Sequence, residues 1–362
     1  MIFDLLFVIV IIIQLFYYIF FFSKFAFSDS KKIICEELPI SIIICAKNES
    51  GNLTNFLPYI INQNYSNFEI ILVNDHSTDN TLEVMQSFKN KNIAIKIVNL
   101  IDSNSNKKNA ITNGINAANF EHLLFTDADC KPISKNWIRE FSAHFNNNKS
   151  IILGYGAYQK IDNSWLNKLI RFETLLTAMQ YFSYANIGLP YMGVGRNIAY
   201  TKTQFTNANG FSNHQHIKSG DDDLLINQIA TKDNTAICLT SNSFTISEVH
   251  TSFKKWFYQK RRHISTATHY KPIHQFLLGL FYLSQFSFWF LGLLLLFISN
   301  NWTFILFLFS SRIIIQYFIF GISAKKLDEK DLFIFFPFLE LFLILIQMRI
   351  FIQNMISKPK EW

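Results

Sequence analysis

The sequence is poor in cysteine, and its cysteines form no recognisable pattern. Its 362 residues include four of them, far apart, with no C-x-x-C pair and no histidine at metal-ligand spacing: Cys35, Cys45, Cys130 and Cys238. We therefore expect neither a structural zinc site nor a disulfide framework. Isolated thiols are typical of small buried side chains in a reducing compartment.

Charged residues are also scarce. They make up 16% of the chain, whereas 50% of the residues are hydrophobic and 39 are phenylalanine, which excludes a disordered tail or a collagen-like fibre. The net charge of +7 is compatible with nucleic acid as a partner. Several apolar runs of spanning length favour membrane phosphates instead.

Two common nucleotide-binding motifs are missing. The sequence has no G-x-x-x-x-G-K-[ST], so a P-loop is absent. The pairs Gly154/Gly156 and Gly193/Gly195 lack the third glycine of G-x-G-x-x-G and do not follow the first strand. A dinucleotide site is therefore disfavoured.

The chain begins with an apolar run at residues 1–22, long enough to cross a bilayer. No basic segment precedes it and no small-residue cleavage site follows, which favours a retained anchor over a cleaved signal peptide. Lys24, Lys31 and Lys32 come directly after it. This basic linker, residues 23–38, predicts a cytoplasmic location for the domain that follows.

Three further apolar runs, at about 276–298, 302–322 and 332–353, predict a C-terminal transmembrane region over residues 276–353. Lysines follow the second and third runs, and the third is interpreted either as a span or as a re-entrant or interfacial segment. Arg312 and Glu340 lie inside these runs, where an ion needs a partner. An Arg312–Glu340 pair between helices is possible.

Residues 39–250 predict an α/β domain. Short β-branched runs without polar alternation are typical of strands buried on both faces of a parallel sheet, and helical stretches separate them. The predicted strands are Pro39–Ala46, Phe68–Asn74, Ile93–Val98 and Leu123–Thr126, and one predicted helix is Lys107–Ala118. The β-α-β-α-β-α-β order indicates a doubly wound, mostly parallel sheet, which binds ligands beyond the carboxyl ends of its strands.

Carboxylates gather at those strand ends. Asp75 follows the second predicted strand, and Asp79 is interpreted as a helix cap. Asp127 and Asp129 follow the fourth strand and flank one small residue, a spacing that lets both bind one hard cation. Several carboxylates would repel a diphosphate unless Mg²⁺ or Mn²⁺ bridged the two, and Lys107 supplies a further positive charge nearby. The pattern therefore indicates a nucleotide-diphosphate site that contains a metal ion.

Two charged segments follow. Asp221, Asp222 and Asp223 precede an apolar helical pattern; a helix start needs one such residue, so at least one is expected to accept a proton from a hydroxyl. Residues 251–275 mix bases with aromatic residues and predict an amphipathic interface segment. Alternatively, Arg261 or Arg262 faces a released diphosphate.

These motifs, over about Ile40 to His263, resemble the membrane-anchored, inverting type of family 2 glycosyltransferase. The resemblance rests on the order of SIIICAKNES, VNDHSTDNT, the lysine before Ala110–Gly114, TDAD, GVGRNIAY, GDDDLL and QKRRH. It implies the GT-A fold, with one N-terminal and two to three C-terminal transmembrane helices. His263 stands where the family's Q-x-x-R-W motif has tryptophan, and that departure counts against processive synthesis.

The resemblance also implies the roles of individual residues. Asp222 is the general base and Asp221 its neighbour, with Asp223 as the alternative register. Asp127 and Asp129 hold Mg²⁺ or Mn²⁺. The implied nucleotide-sugar contacts are Ala46, Glu49, Asp75, Lys107, Asp127, Gln259 and Arg262.

The expected function is single transfer of a hexosyl or N-acetylhexosaminyl group from a nucleotide-diphosphate donor, with UDP as the expected nucleotide, to a lipid or glycan hydroxyl. The enzyme is expected in the inner (plasma) membrane with its catalytic domain in the cytoplasm. A processive polysaccharide synthase and a non-catalytic membrane scaffold are the alternatives. Acceptor specificity is expected to depend on loops such as Trp165 to Pro190.

Overall fold

The computed structural model describes residues 2–29, 37–89, 93–101, 106–217 and 219–357. Part of the predicted basic linker, with Lys31, Lys32 and Cys35, lies outside the described residues, as do the lysines that end the chain.

The described strands are β1 Ile40–Ala46, β2 Phe68–Asp75, β3 Ala94–Leu100, β4 His122–Phe125, β5 Cys130–Pro132, β6 Ile151–Leu153, β7 Gly156–Tyr158, β8 Ile198–Thr201, β9 Thr235–Ile237 and β10 Thr245–Ser247. The described helices are α1 Ile2–Phe16, α2 Ser23–Ala26, α3 Ser50–Ile61, α4 Thr81–Ser87, α5 Lys107–Ala117, α6 Trp137–Ser142, α7 Trp165–Asn186, α8 Lys202–Asn207, α9 Asp223–Ile229, α10 Phe253–Thr266, α11 Pro272–Ile298, α12 Trp302–Lys326 and α13 Phe336–Ile356.

The chain forms two compact units. The sheet unit comprises Ser30–Lys160 and Gly188–Val249. The helix unit comprises Met1–Asp29, Ile161–Ile187 and His250–Glu361, and so includes α7 as well as the apolar helices.

A seven-stranded mixed sheet forms the centre of the sheet unit, in the order β3-β2-β1-β4-β8-β6-β9. Strands β3, β2, β1 and β4 are mutually parallel, whereas β8 is antiparallel to both β4 and β6. Every residue of β2 is buried, as the absence of polar alternation predicts for a strand covered on both faces. The predicted β-α-β-α-β-α-β order and the doubly wound, mostly parallel sheet are confirmed.

Helix α5 lies close against this sheet because Gly114 has no side chain. A Cβ at Gly114 would lie 2.8 Å from Cγ2 of Ile43 and 3.0 Å from Cγ2 of Val73. Any other residue would therefore push α5 away from β1 and β2. The close approach fixes the start of α5, where Lys107 and Lys108 stand.

A second, three-stranded sheet with the order β5-β10-β7 lies within the same unit. Its strands are three residues long. Strand β5 follows directly after the Asp127–Asp129 segment, so this sheet anchors the downstream end of that segment.

The helix unit contains four helical segments among the described residues that are long and apolar enough to cross a membrane: Ile2–Ala26, Pro272–Ile298, Trp302–Lys326 and Lys330–Ile356. The first includes a π-helical stretch, Tyr17–Phe22. The expected interhelical pair is present, with Nη2 of Arg312 2.7 Å from Oε1 of Glu340.

Helix α7 is also part of this unit, where the sequence had indicated a specificity loop. Its 22 residues lie largely buried, and Ser164 caps its first turn by accepting a hydrogen bond from the amide of Asn167 at 3.2 Å. Its apolar residues occur all round the helix rather than on one face, which is why the amphipathic pattern of a surface helix was not visible.

Candidate active site

A small cavity in the sheet unit brings together residues from several of the motifs that lie far apart in the sequence. It is lined by Ile43, Cys45, Lys107, Ile111, Phe125, Thr126, Asp127, Gly195, Ile198, Tyr200, Asp221 and Asp222. Cys45 is near the end of β1, and Thr126 directly follows β4. The cavity therefore opens at the carboxyl ends of the parallel strands, as predicted.

Lys107 connects two of the acidic segments. Its Nζ lies 3.1 Å from Oδ1 of Asp127 and 3.1 Å from Oδ2 of Asp221. Burial disfavours the ammonium charge, but nearby carboxylates outweigh this and raise the pKa of Lys107 well above its ordinary value. Lys107 is thus a fixed positive charge between the segment after β4 and the turn before α9.

Asp222 is held by the backbone and surrounded by like charges. Its Oδ2 accepts a hydrogen bond from the amide of Gly195 at 2.7 Å, and its Oδ1 accepts one from the amide of Asp223 at 2.8 Å. Burial, and then the carboxylates of Asp221 and Asp223, raise the pKa of Asp222 to about 7, against the opposing effect of Lys107.

Glycine at position 195 allows the close approach of Asp222. A Cβ there would lie 3.3 Å from Oδ2 of Asp222, which is tighter than normal packing. The GVGRNIAY segment therefore contributes a backbone amide to the turn formed by Asp221, Asp222 and Asp223, which we call the acidic turn.

The three consecutive aspartates occupy different positions. Asp221 and Asp222 line the cavity, whereas Asp223 is the first residue of α9 and is 7% exposed. Oδ1 of Asp223 accepts a hydrogen bond from the amide of Leu224 at 2.8 Å. Asp223 thus has the position of a helix-start residue.

Asp127 and Asp129 are close enough to share one cation. One carboxylate oxygen from each and Sγ of Cys130 all lie within 4.8 Å of one another. Burial raises the pKa of the Cys130 thiol well above its ordinary value, and Sγ lies 2.9 Å from Oγ of buried Ser247. The protonated sulfur is a poor ligand, so the two carboxylates are the groups suited to a hard cation.

The loops after β1 and β2 are tied to each other. The amide of Asn48 donates to Oγ of Ser77 at 3.0 Å, and Oδ1 of Asn48 accepts from the amide of Thr78 at 2.8 Å. Oδ1 of Asp79 accepts a hydrogen bond from the amide of Thr81 at 3.0 Å, but the cap position of α4 is Asn80. Asp79 therefore stabilises the turn that leads into the helix.

The predicted nucleotide-contacting residues of these strands lie at the same sheet edge. Ala46 ends β1 and is buried, and Asp75 ends β2 with 6% exposure. Burial, and then the carboxylates of Asp129 and Asp127, raise the pKa of Glu49, so Glu49 lies near these two residues.

Two residues near the site were not singled out from the sequence. Cys45 lines the cavity, and burial raises the pKa of its thiol against the effect of Lys107. The guanidinium of Arg196 lies 4.1 Å from the Tyr158 ring and donates to the carbonyl of Gly156 at 2.6 Å. Burial and then Asp127 raise the pKa of Asp129, and the charge of Arg196 opposes this rise. Only the position of Arg196 within GVGRNIAY hinted at a role.

Gln259 and Arg262 lie on α10, in the helix unit, and their roles stay predictions. The alternative, Arg261, is engaged within that unit. Its Nε donates to Oδ1 of Asn354 at 2.9 Å and its Nη2 to the carbonyl of Gln353 at 3.3 Å.

Comparison with known sequences shows similarity to glycosyltransferases. Residues 41–210 match the family model described as glycosyl transferase family 2. A poly-beta-1,6-N-acetyl-D-glucosamine synthase of Staphylococcus epidermidis is 39% identical over 90 residues, 25% of this chain and 21% of that protein. An uncharacterized glycosyltransferase of Haemophilus influenzae is 33% identical over 126 residues, 34% of this chain and 37% of that protein. The chain therefore spans well under half the length of either relative.

Comparison with solved structures confirms the fold. The mannosyltransferase PcManGT from Pyrobaculum calidifontis, in complex with GDP-Man and Mn²⁺, matches with a TM-score of 0.57 and 14% identity over 94% of both chains. At this identity the likeness concerns the fold alone, and it agrees with the expected GT-A architecture.

Proposed function

From the match of residues 41–210 to the glycosyl transferase family 2 model, we propose that the protein is an inverting glycosyltransferase. It moves a hexosyl or N-acetylhexosaminyl group from a UDP-sugar to a hydroxyl of a lipid or glycan acceptor. The observation that carries this proposal is Asp222: a cavity-lining carboxylate with a pKa raised to about 7 and both oxygens oriented by backbone amides.

Asp222 is the proposed general base. A base is most effective when its pKa lies near the working pH, because it is then ionised and still accepts a proton readily. Asp221 is paired with Lys107, and Asp223 is directed into the start of α9. Asp222 is therefore the member of the acidic turn best suited to take the acceptor's proton while the hydroxyl oxygen attacks the anomeric carbon.

Asp127 and Asp129 would hold Mg²⁺ or Mn²⁺. Their carboxylates fit such an ion by type and by proximity, and burial together with Asp127 raises the pKa of Asp129, as expected for like charges that lie close together. When bound, the ion supplies positive charge that stabilises the leaving diphosphate. Lys107 adds a fixed positive charge beside Asp127.

The remaining proposed contacts serve the donor. Ala46, Glu49 and Asp75 flank the nucleotide at the carboxyl ends of β1 and β2, and Gln259 and Arg262 bind the diphosphate as it leaves. These contacts orient the donor so that attack occurs in line with the departing UDP and inverts the anomeric configuration.

The second candidate is a processive polysaccharide synthase. The relative named as a poly-beta-1,6-N-acetyl-D-glucosamine synthase favours it, and His263 in place of the motif's tryptophan disfavours it. Size analysis of the product separates the two, because a single-transfer enzyme adds one sugar per acceptor.

The acceptor is proposed to be presented at the inner (plasma) membrane, with the catalytic domain in the cytoplasm. The four apolar helical segments support membrane attachment, and Lys24 at the C-terminal end of the first supports this orientation. A cysteine introduced in the turn at Asn300, between α11 and α12, should react with an impermeant thiol reagent from the outside of intact cells. Labelling only after lysis would contradict the orientation.

The test of the function measures the release of UDP from a panel of UDP-sugars, and of GDP from a GDP-sugar, by membranes that contain the protein. The assay is run with and without Mn²⁺ or Mg²⁺. Metal-dependent release from one donor, and a product whose anomeric configuration is opposite to the donor's, would support the proposal. A product with retained configuration would contradict inversion. No release from any donor with membrane lipid extract present would favour the non-catalytic scaffold.

A further inference from the structure

Lys108 is a buried lysine that the family resemblance does not explain. It is the second residue of α5, directly after Lys107, and its side chain is 1% exposed. A buried ammonium is costly unless hydrogen bonds satisfy it. Its Nζ donates to the carbonyl of His214 at 2.6 Å and to the carbonyl of Ile217 at 2.8 Å.

Lys108 and Lys107 therefore serve different parts of the sheet unit. Lys107 contacts carboxylates at the cavity, whereas Lys108 holds backbone carbonyls of the segment that leads into the acidic turn. We name residues 211–220 the approach segment; residue 218 lies outside the described part. Three residues at its start form a 3-10 turn, and α9 begins only at Asp223.

The side chain of His214, whose carbonyl Lys108 binds, is uncharged at neutral pH. Among the described residues neither ring nitrogen of His214 has a hydrogen-bond partner, and burial, followed by Lys108, lowers the pKa of His214 to about 4. His214 is thus neutral at pH 7 and does not repel the ammonium. The ring of Phe211 lies 6.0 Å from Nζ.

The acidic turn supplies the opposing charge. Burial lowers the pKa of Lys108 to about 8, while Asp221, Asp223 and Asp222 act to raise it. Lys108 therefore remains mostly protonated at pH 7. The two carbonyls that it binds lie seven and four residues before Asp221 in the chain, so its position constrains where the turn begins.

We propose that Lys108 is a positioning residue, which fixes the approach segment and through it the carboxylates of Asp221 and Asp222. The catalytic part of this inference rests on the proposed function. Lys108 itself touches no reacting atom. Its effect is on the geometry of the proposed base, for which a displacement of about 1 Å lowers rates roughly 100-fold.

The test compares Lys108→Met and Lys108→Arg with a matched control, Lys202→Met, in the full-length protein in detergent. Lys202 also donates to a backbone carbonyl, that of Ala118 at 2.9 Å, and Ala118 is not part of the approach segment. The measurements are kcat and donor KM for UDP release, the pH profile of kcat, hydrogen–deuterium exchange of peptides covering residues 209–223, and the melting temperature.

We expect Lys108→Met to lower kcat at least roughly tenfold with donor KM changed less than about twofold, and to speed exchange in residues 209–223. Wild-type kcat should fall above about pH 8 as Lys108 loses its proton, because the two carbonyls then lose their charged donor. That fall should be absent in Lys108→Met and move to higher pH in Lys108→Arg, which should also recover part of kcat. Lys202→Met should resemble the wild type.

Unchanged kcat and unchanged exchange in Lys108→Met would overturn the proposal, and so would a lower melting temperature alone. A change confined to donor KM would also overturn it. If the wild type releases no UDP, the proposed function fails, and the exchange measurement still decides whether Lys108 holds the approach segment.

Discussion

At the scale of single residues, the pKa of Asp222 results from contacts that lower it and contacts that raise it. Two backbone amides donate to its oxygens and favour the charged form, as does Lys107. Burial and the adjacent carboxylates disfavour that form and dominate. The result is a carboxyl group that is roughly half ionised at neutral pH, whereas an exposed aspartate would be fully ionised and a weaker base.

Asp222→Asn is expected to lower kcat for UDP release by roughly 10² to 10⁴, because the amide does not accept the acceptor's proton. Asp223→Asn is the matched control: an amide oxygen still accepts the hydrogen bond from Leu224, so kcat should stay within about tenfold of the wild type. Donor binding, measured by calorimetry with UDP, should survive in both variants. The opposite ranking would make Asp223 the base.

The raised pKa of Asp222 predicts opposite pH trends for activity and stability. The ionised form is the base, so kcat should rise with pH through about 7. The folded protein keeps the Asp222 proton up to about pH 7, whereas the unfolded chain releases it near 3.8, so the folded state binds more protons between these values. The free energy of unfolding should therefore fall as pH rises from about 4 to 7.

Melting temperature as a function of pH checks the second trend. In Asp222→Asn the melting temperature should decrease less between about pH 4 and 7, because residue 222 no longer titrates. A smaller decrease should remain, since the pKa values of Asp129 and Glu49 are also raised. Equal slopes in variant and wild type would show that Asp222 does not titrate in this range.

The sequence predicted the site's acidic residues better than their neighbours. Strand ends and D-x-D spacing place carboxylates at one sheet edge, which the structure bears out for Asp75 and Asp127. Lys107 and Lys108 are adjacent lysines that sequence reasoning cannot distinguish, because their directions depend on the packing of α5 against β1 and β2. The amide of Gly195 carries no side-chain signal at all.

At the scale of elements, the strands of the parallel half were predictable because each is covered on both faces and consists of apolar residues. Strands β5, β7 and β10 have three residues each and depend on partners distant in sequence, so no local pattern predicts them. Helix α7 was missed for a related reason: its Arg171 and Glu173 form ion pairs with residues distant in sequence.

Arg171 on α7 is the centre of one such set of ion pairs. Its Nε donates to Oε2 of Glu329 at 2.8 Å, and its Nη1 donates to Oδ2 of Asp331 at 2.8 Å. Side-chain exposure is 2% for both Arg171 and Glu329 but 46% for Asp331. The pair with Glu329 is therefore shielded from water, and the pair with Asp331 is not.

Arg171→Ala is expected to lower the free energy of unfolding by about 3 kcal/mol, because it removes the positive partner of a buried carboxylate. Asp331→Ala should lower it by less than about 1 kcal/mol, since water screens a half-exposed pair. Thermal unfolding in detergent, followed by tryptophan fluorescence, measures both. Equal losses would mean that the two carboxylates contribute alike.

At the scale of the whole molecule, one buried polar network links all four apolar helical segments of the helix unit. Arg312 on α12 pairs with Glu340 on α13 and donates to Oε1 of Gln14 on α1 at 2.8 Å. Glu340 also accepts from Gln285 and Trp289 on α11, at 2.5 and 3.0 Å. The sequence indicated the ionic pair as one possibility but not the contacts of the glutamines, whose partners depend on how the helices rotate.

This network predicts strong coupling between Arg312 and Glu340. Arg312→Leu or Glu340→Leu alone leaves one buried charge without its opposite, which typically costs about 3 to 5 kcal/mol. The double variant removes both charges, so it should be no less stable than the worse single variant, although Gln14 and Trp289 each lose a partner.

The measurement is a double-mutant cycle of melting temperatures in detergent, with the amount of folded protein in membranes as a second readout. Arg349→Leu is the matched control, because Arg349 is exposed on the same helix as Glu340 and lies 5.3 Å from the Phe257 ring rather than in the network. It should change stability by less than about 1 kcal/mol. Additive losses from Arg312→Leu and Glu340→Leu would mean that the two charges do not act as a unit, and that nonpolar packing alone holds the four segments together.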